Sequence, residues 1–305
     1  MTGKTTITYL CVIGAGRVGT TVSCTLAEKG LPNIRLKAIS SRSTESLNRA
    51  KEILGSKAAG VIFTRENPLA VSLANCVLIC TPDDTIKNVC SEIFKDKSKN
   101  FKKHYVIHFS GSKSLEVLNP ARAAGAEIAS IHPLKSFASI QDAIKSLPGT
   151  IFGITYSSVK SKEMAEFLVK SLGGKTIEVG NKKKPLYHAA ACVASNYLVT
   201  LINYAVLIHK KIGIKPEDSL KGLMGLVEGT VSNIKKMGTE KALTGPIARG
   251  DVGTIKEHIN SFNEFFSKED AALYKVMGTE TIKIAQQNKW IKESTAEELK
   301  EILKK

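Results

Sequence analysis

The chain's first 180 residues alternate between short apolar runs and stretches of helical spacing. An apolar run at residues 7–13 leads straight into Gly14-Ala15-Gly16-Arg17-Val18-Gly19, followed by a helical stretch and a second apolar run at 35–39. Further strands are predicted at 61–63, 76–80, 105–109, 127–131, 151–155 and 176–179, with helices over about 44–54, 66–74, 84–95, 114–124 and 161–172. Such alternation predicts parallel strands with helices on both faces. No strand candidate follows Val179, and from Pro185 the pattern is helical, with breaks near Gly213, Gly238, Gly245-Pro246 and Gly250.

The glycines give the first apolar run its chemistry. A glycine-rich turn between a strand and a helix binds a dinucleotide pyrophosphate. Gly14 allows the tight turn, Gly16 lets the backbone approach the phosphates, and Gly19 lets the helix pack on the sheet. Arg17 and Val18 open that helix, where unpaired N–H groups point at the anion. The predicted fold class is therefore α/β: a Rossmann doubly wound parallel sheet over residues 1–180, then an all-helical domain over 181–305. The polar stretch 180–184 marks the boundary. At the end of the second strand an acid would select NAD, whereas arginine meets the 2′-phosphate of NADP. Here no acid lies between Lys29 and Glu45, and Ser40, Ser41 and Arg42 stand at the strand end. A guanidinium grips a phosphate through two hydrogen bonds, so the expected cofactor is NADPH/NADP.

Ligands collect beyond the carboxyl ends of such strands. Thr81 and Pro82 follow the fourth strand and are expected beside the cofactor, with Asp83 capping the next helix. The fifth strand exits through His108-Phe109-Ser110-Gly111-Ser112, so Ser110 and Gly111 are candidate substrate contacts, or the segment caps the helix after Ser114. The sixth exits through His132-Pro133-Leu134-Lys135-Ser136-Phe137. His132, with an ordinary pKa near about 6.5, is placed to protonate a substrate as hydride arrives, or it braces the loop before Pro133. In the following helix, residues 188, 192, 195, 196 and 199 share a face, placing His188, Ser195 and Asn196 on a stripe of small neighbours. Arg249 is a candidate for a substrate carboxylate, or pairs with Asp251 in a structural bridge.

Composition narrows the partners. The chain has 44 basic and 28 acidic residues in 305, a net charge of +16. The excess is spread evenly: residues 1–155 carry 20 basic and 11 acidic side chains, and 156–305 carry 24 and 17. The densest clusters, 95–103 and 182–184, read as solvated loops without interleaved aromatics, so nucleic acid is not expected. A positive field suits an anionic cofactor and a small anionic substrate. The six cysteines form no CxxC pair and suggest reduced core thiols in a cytoplasmic protein, and the N-terminal apolar run reads as a strand, not a signal peptide. Residues 189–208 are nearly apolar and about as long as a membrane span. They contain Ser195, Asn196, Asn203 and two tyrosines, so they read as a long helix buried in a domain or a subunit interface, with no membrane contact expected.

Taken together, residues 14–19, Thr81-Pro82-Asp83, His108-Phe109-Ser110-Gly111, His132-Pro133-Leu134, 188–197 and 243–251 resemble a family of Rossmann-like candidate NADP oxidoreductases. Their helical C-terminal domain was long catalogued as of unknown function. The resemblance covers essentially the whole chain, and its wider architecture is similar to pyrroline-5-carboxylate reductase, 6-phosphogluconate dehydrogenase and ketopantoate reductase. It implies an NADPH-dependent reductase of a small 2-oxo acid, with 2-ketopantoate, a precursor in pantothenate synthesis, as the expected substrate. The active site is expected in the cleft between domains, with Asn196 orienting the substrate, His132 or His188 giving the proton, and a homodimer formed through the helical domain. The related β-hydroxyacid dehydrogenases place a lysine one turn before the asparagine. Here that residue is Cys192, which leaves His132, His188 and Lys135 as replacements. The rival expectations are an imine reductase resembling pyrroline-5-carboxylate reductase and a non-catalytic NADP(H) sensor.

Overall fold

The computed structural model describes residues 7–96 and 100–304, so residues 97–99 of the basic cluster at 95–103 lie outside the described residues. Strand β1 (Thr8–Ile13) enters helix α1 (Arg17–Glu28), followed by β2 (Ile34–Ser40), α2 (Thr44–Leu54), β3 (Ile62–Thr64), α3 (Asn67–Ser72), β4 (Cys76–Ile79) and α4 (Ile86–Ile93). The chain continues through β5 (Tyr105–His108), α5 (Asn119–Ala123), β6 (Glu127–Pro133), α6 (Ile140–Ser146), β7 (Ile151–Tyr156), α7 (Val159–Ser171) and β8 (Lys175–Glu178). These strands form one sheet in the order β3-β2-β1-β4-β5-β6-β7-β8.

Period-two alternation gives the sheet two cores. On one face Leu10 and Val12 pack with Val22 and Leu26 of α1, Leu47 of α2 and Leu168 of α7. On the other, Cys11 and Ile13 pack with Val71 of α3, Ile86 and Cys90 of α4 and Ala121 of α5. The order reverses at β1, whose neighbours are β2 and β4, so the loops leaving β1 and β4 diverge and open a crevice there. All six cysteines are free, and Cys11, Cys24, Cys76 and Cys90 are buried.

Two strands depart from the expected parallel sheet: β7 runs antiparallel to β6 and β8 pairs parallel to β7, so both oppose β1–β6, whose own pairs are all parallel. The connection explains it. The seven residues of β6 span about 23 Å at about 3.3 Å each. The seven residues of α6, which the apolar pattern did not mark, cover only about 10 Å. That helix packs against α1 and does not carry the chain back along the sheet, so β7 starts near the end where β6 stops.

Among the described residues, everything after β8 is helical: α8 (Lys184–Lys211), α9 (Pro216–Lys241), α10 (Pro246–Arg249), α11 (Val252–Phe265), α12 (Lys268–Gln287) and α13 (Glu293–Lys304). Gly213 at φ +87° ends α8, and Gly238 at φ +79° kinks α9, conformations that cost a side-chain-bearing residue more than glycine. The chain divides into two compact units, Met1–Tyr197 and Leu198–Lys305, so the division falls inside α8. In the second unit Ile255 and Ile259 of α11, Ile282 of α12 and Leu299 and Leu303 of α13 form a small core. The helical segment Asn181–Lys211 is long and apolar enough to cross a membrane by length and composition, and its apolar window is unburied.

Candidate functional site

At the crevice, two cavities meet over the glycine turn. One of about 1060 Å³ is lined by Gly16, Arg17, Val18, Arg49, Thr81, Pro82 and Phe137. The other, about 560 Å³, is lined by Gly14, Gly16, Ser41, Arg42, Arg65, Asn67 and Thr81. The glycines are required by geometry. A Cβ at Gly14, where φ is +107°, would lie 2.8 Å from the Cys80 carbonyl oxygen, and one at Gly19 would overlap the Gly14 carbonyl. Gly16 faces open space, where a side chain would fill the cradle. Thr81 Oγ1 is buried and, among the described residues, has no hydrogen-bond partner. An anion-accepting helix start, a bare cradle and an unsatisfied hydroxyl together fit a dinucleotide.

A third cavity, of about 490 Å³, lies within the first unit. Its lining combines the exit of β6 (His132, Lys135, Ser136) with the first turns of α8 (His188, Cys192, Ser195, Asn196). The loop after β6 serves both sites, since Phe137 lines the large groove. His132 is the centre of this cavity's polar wall. Its Nδ1 lies 3.1 Å from the Tyr187 hydroxyl, and its ring meets that of His188 edge-on at 5.6 Å. Two missing side chains make room: a Cβ at Gly111 would lie 2.8 Å from His132 Nε2 and 2.5 Å from His188 Cδ2, and one at Gly153 would overlap the Tyr187 hydroxyl. His188 Nδ1 is 3.6 Å from Cys192 Sγ.

Beneath His132 is a buried ammonium. Lys184, 1% exposed, donates from Nζ to the Ser110 carbonyl at 3.0 Å and to Ser130 Oγ at 2.7 Å. Burial pulls its pKa down to about 8, against the opposing pull of Asp83. Burial, with His188 and Lys184 adding repulsion, also pulls His132 down to about 4. His108, wholly buried and beside Lys184, falls to about 3 for the same leading reason. At neutral pH His132 is thus an uncharged imidazole rather than the half-protonated acid that its ordinary pKa implies.

Sequence comparison assigns the two halves. Residues 4–133 match the model of a Rossmann-like domain, and residues 150–281 match a domain of unknown function, DUF2520. Each match covers under half of the chain, and the two together span most of it. Among solved structures, the chain is similar to protein TM1727 from Thermotoga maritima, with 25% identity, 94% of this chain and 98% of that chain covered, and a TM-score of 0.68. It is similar to a candidate NADP oxidoreductase from Bacteroides fragilis (18% identity, 93% and 100% covered, TM-score 0.70). It is also similar to the NADP-bound pyrroline carboxylate reductase of Plasmodium falciparum (15% identity, 97% and 98% covered, TM-score 0.57). Comparison with the curated proteins finds no match. The chain thus has the fold of NADP-dependent oxidoreductases.

Within this frame the sequence-predicted residues separate into groups. Gly14, Gly16, Arg17, Val18, Ser41, Arg42, Thr81 and Pro82 line the crevice cavities, and Gly19 packs beneath them. Ser40 does not join them: it is fully buried, its hydroxyl pairs with Asn67, and its carbonyl accepts the Gly14 N–H at 2.7 Å. His132, Lys135, His188 and Asn196 come together in the smaller cavity. Ser110 is turned away, its hydroxyl donating to Asp83 at 2.6 Å, and Gly111 is the space against which the two imidazoles sit. Asp83 caps no helix; its Oδ2 also accepts from Ser112 at 2.8 Å. Arg249, in the second unit, pairs with Asp251 at 2.7 Å. Sequence reasoning missed Arg49, Arg65, Tyr187 and Lys184. Arg65 follows β3, the next strand beyond β2, and that adjacency was an available signal. Lys184 was masked by the run Lys182-Lys183-Lys184: the first two are exposed, but a short 3-10 turn turns the third inward at the start of α8.

Proposed function

We propose that this chain is an NADPH-dependent reductase converting a small 2-oxo acid to its 2-hydroxy acid, with 2-ketopantoate and pantoate as the pair. The observation that carries the reading is the 490 Å³ cavity that gathers His132, Lys135, His188 and Asn196 beside the crevice loops. Its size suits a small acid. NADPH bound over Gly14, Gly16 and Gly19 would supply a hydride. Ser41 and Arg42, joined by Arg65, would meet its 2′-phosphate, and the Thr81 hydroxyl would find its missing partner there. Lys135 would offset the substrate carboxylate, Asn196 would orient it, and His132 or His188 would donate to the carbonyl oxygen as charge develops there.

The chain's own surface supports a homodimer. Leu186, Val193, Val199 and Leu207 of α8 and Leu226 of α9 are all exposed, with Leu186 at 78%, Val199 at 68% and Leu226 at 70%. A second copy would cover such exposed apolar helix positions. Six free thiols suit a reducing compartment such as the cytoplasm.

A second reading rests on the low basicity of His132. A neutral imidazole is a weak acid, and reduction of an already protonated imine needs none. The test follows absorbance of NADPH with purified protein and either 2-ketopantoate or pyrroline-5-carboxylate. Oxidation is expected with the keto acid. The H132A variant should lose about 10²-fold or more in kcat, the usual size of a lost acid–base group. Oxidation with the imine alone would select the second reading. NADPH binding with no turnover on either compound would leave a sensor and remove the reductase assignment for both.

A further inference from the structure

Resting on the reductase reading, we infer that Lys184 is a positioning residue. Its buried ammonium sets the rotation of α8 about its own axis, and so decides which side chains of that helix face the 490 Å³ cavity. No buried apolar side chain does this, for among the 28 residues of α8 Lys184 alone is buried. The stripe that lines the cavity continues from it: His188, Cys192, Ser195 and Asn196 follow on the same helical face. A helix held at the first residue of that stripe presents the rest of it to the cavity.

The hold is a closed set of hydrogen bonds. Lys184 Nζ donates to the Ser110 carbonyl at 3.0 Å and to Ser130 Oγ at 2.7 Å, and the Ser130 hydroxyl donates to the same carbonyl at 3.3 Å. Ser110 follows β5, and Ser130 lies on β6 two residues before His132. The accepting carbonyl is itself fixed. The Ser110 backbone N–H donates to His108 Nδ1 at 3.2 Å, and the Ser110 hydroxyl donates to Asp83 at 2.6 Å and accepts the Lys113 N–H at 2.9 Å. Asp83 follows Thr81 and Pro82, so the bonds run from the crevice turn to α8. Two other contacts hold this end of the helix without setting its rotation. Asn181, which accepts the Leu115 N–H at 2.7 Å and donates to Glu116 at 2.8 Å, belongs to the turn before α8. Tyr187 meets the His132 ring at 3.1 Å, and that ring is a side chain that can turn. Lys184 has no carboxylate within salt-bridge distance among the described residues. An apolar side chain would be buried there at less cost, but it would supply no directional bonds.

The test uses the full chain and the variants K184M, S130A and the two combined. Methionine keeps the length of the side chain and removes the charge and both bonds. In K184M, kcat on 2-ketopantoate should fall about 10²-fold, the effect of a misplacement of about 1 Å, with NADPH affinity held within about twofold. The thermal midpoint should hold or rise, because an apolar group replaces a buried unpaired charge. S130A should lose about 10-fold in kcat, and the double variant no more than K184M, since both act through one set of bonds. Labelling of Cys192 by iodoacetamide, read by peptide mass spectrometry, should quicken about threefold or more in K184M as the helix turns. Buried Cys11 and Cys76 should stay unlabelled, which checks that the fold is intact. A parental kcat in K184M overturns the inference. So do losses that multiply in the double variant, an unchanged Cys192 rate, or a thermal midpoint or NADPH affinity that falls with turnover. If the parent chain turns over neither 2-ketopantoate nor the imine, the reductase reading fails by itself. The labelling rates and thermal midpoints still decide whether Lys184 sets the rotation of α8.

Discussion

At the scale of single residues, the candidate site is a set of imidazoles held out of water. His108 and His132 have folded pKa values of about 3 and about 4, below their ordinary 6.5. Between those values and about 6.5 the unfolded chain binds protons that the folded chain does not, so stability falls as pH drops through that window. Chemical denaturation across pH 4–7 should show a loss of several kcal/mol toward the acid end. H108N should flatten that slope; an unchanged slope would mean the imidazoles are not the cause. The glycines beside them are equally specific. In G111A the new Cβ would press on both His132 and His188, so kcat should fall about 10²-fold while NADPH affinity holds, as titration of the variant would reveal.

At the scale of elements, the glycine turn and α1 carry the cofactor site. G19A places a Cβ against the Gly14 carbonyl, which is backbone and cannot move aside as a side chain can. The cost should be about 1–3 kcal/mol of stability, together with loss of the thermal shift that NADPH gives the parent chain. Helix α8 has a different division of labour. Its first turns supply Lys184, Tyr187, His188 and Asn196, and only Lys184 among its residues is buried. The alternation of strands and helices made most of these elements legible. The direction of β7 was not, because direction depends on how far α6 carries the chain rather than on the pattern within β7.

At the scale of the molecule, exposed apolar helix surface and net charge set the expectations. Light scattering should give twice the 33.0 kDa chain mass. L226D, which puts a charge on an exposed apolar position of α9, should shift the protein toward monomer. A monomeric parent would refute the dimer. The charge of +16 should make NADPH affinity fall with ionic strength, beyond the screening expected from one arginine contact.

The sequence by itself determined the order of strands and helices, the place of the dinucleotide turn and the polar stripe on α8. Each is written in local periodicity or in residues a few positions apart. Only the tertiary structure decided which polar groups meet. Lys184 reaches Ser110 and Ser130 across 74 and 54 residues, Tyr187 reaches His132 across 55, and Ser110 turns from the cavity to Asp83 across 27. Those pairings depend on strand order and on how α8 starts above the strand ends. A lysine in a basic run looks solvated until the packing around it excludes water.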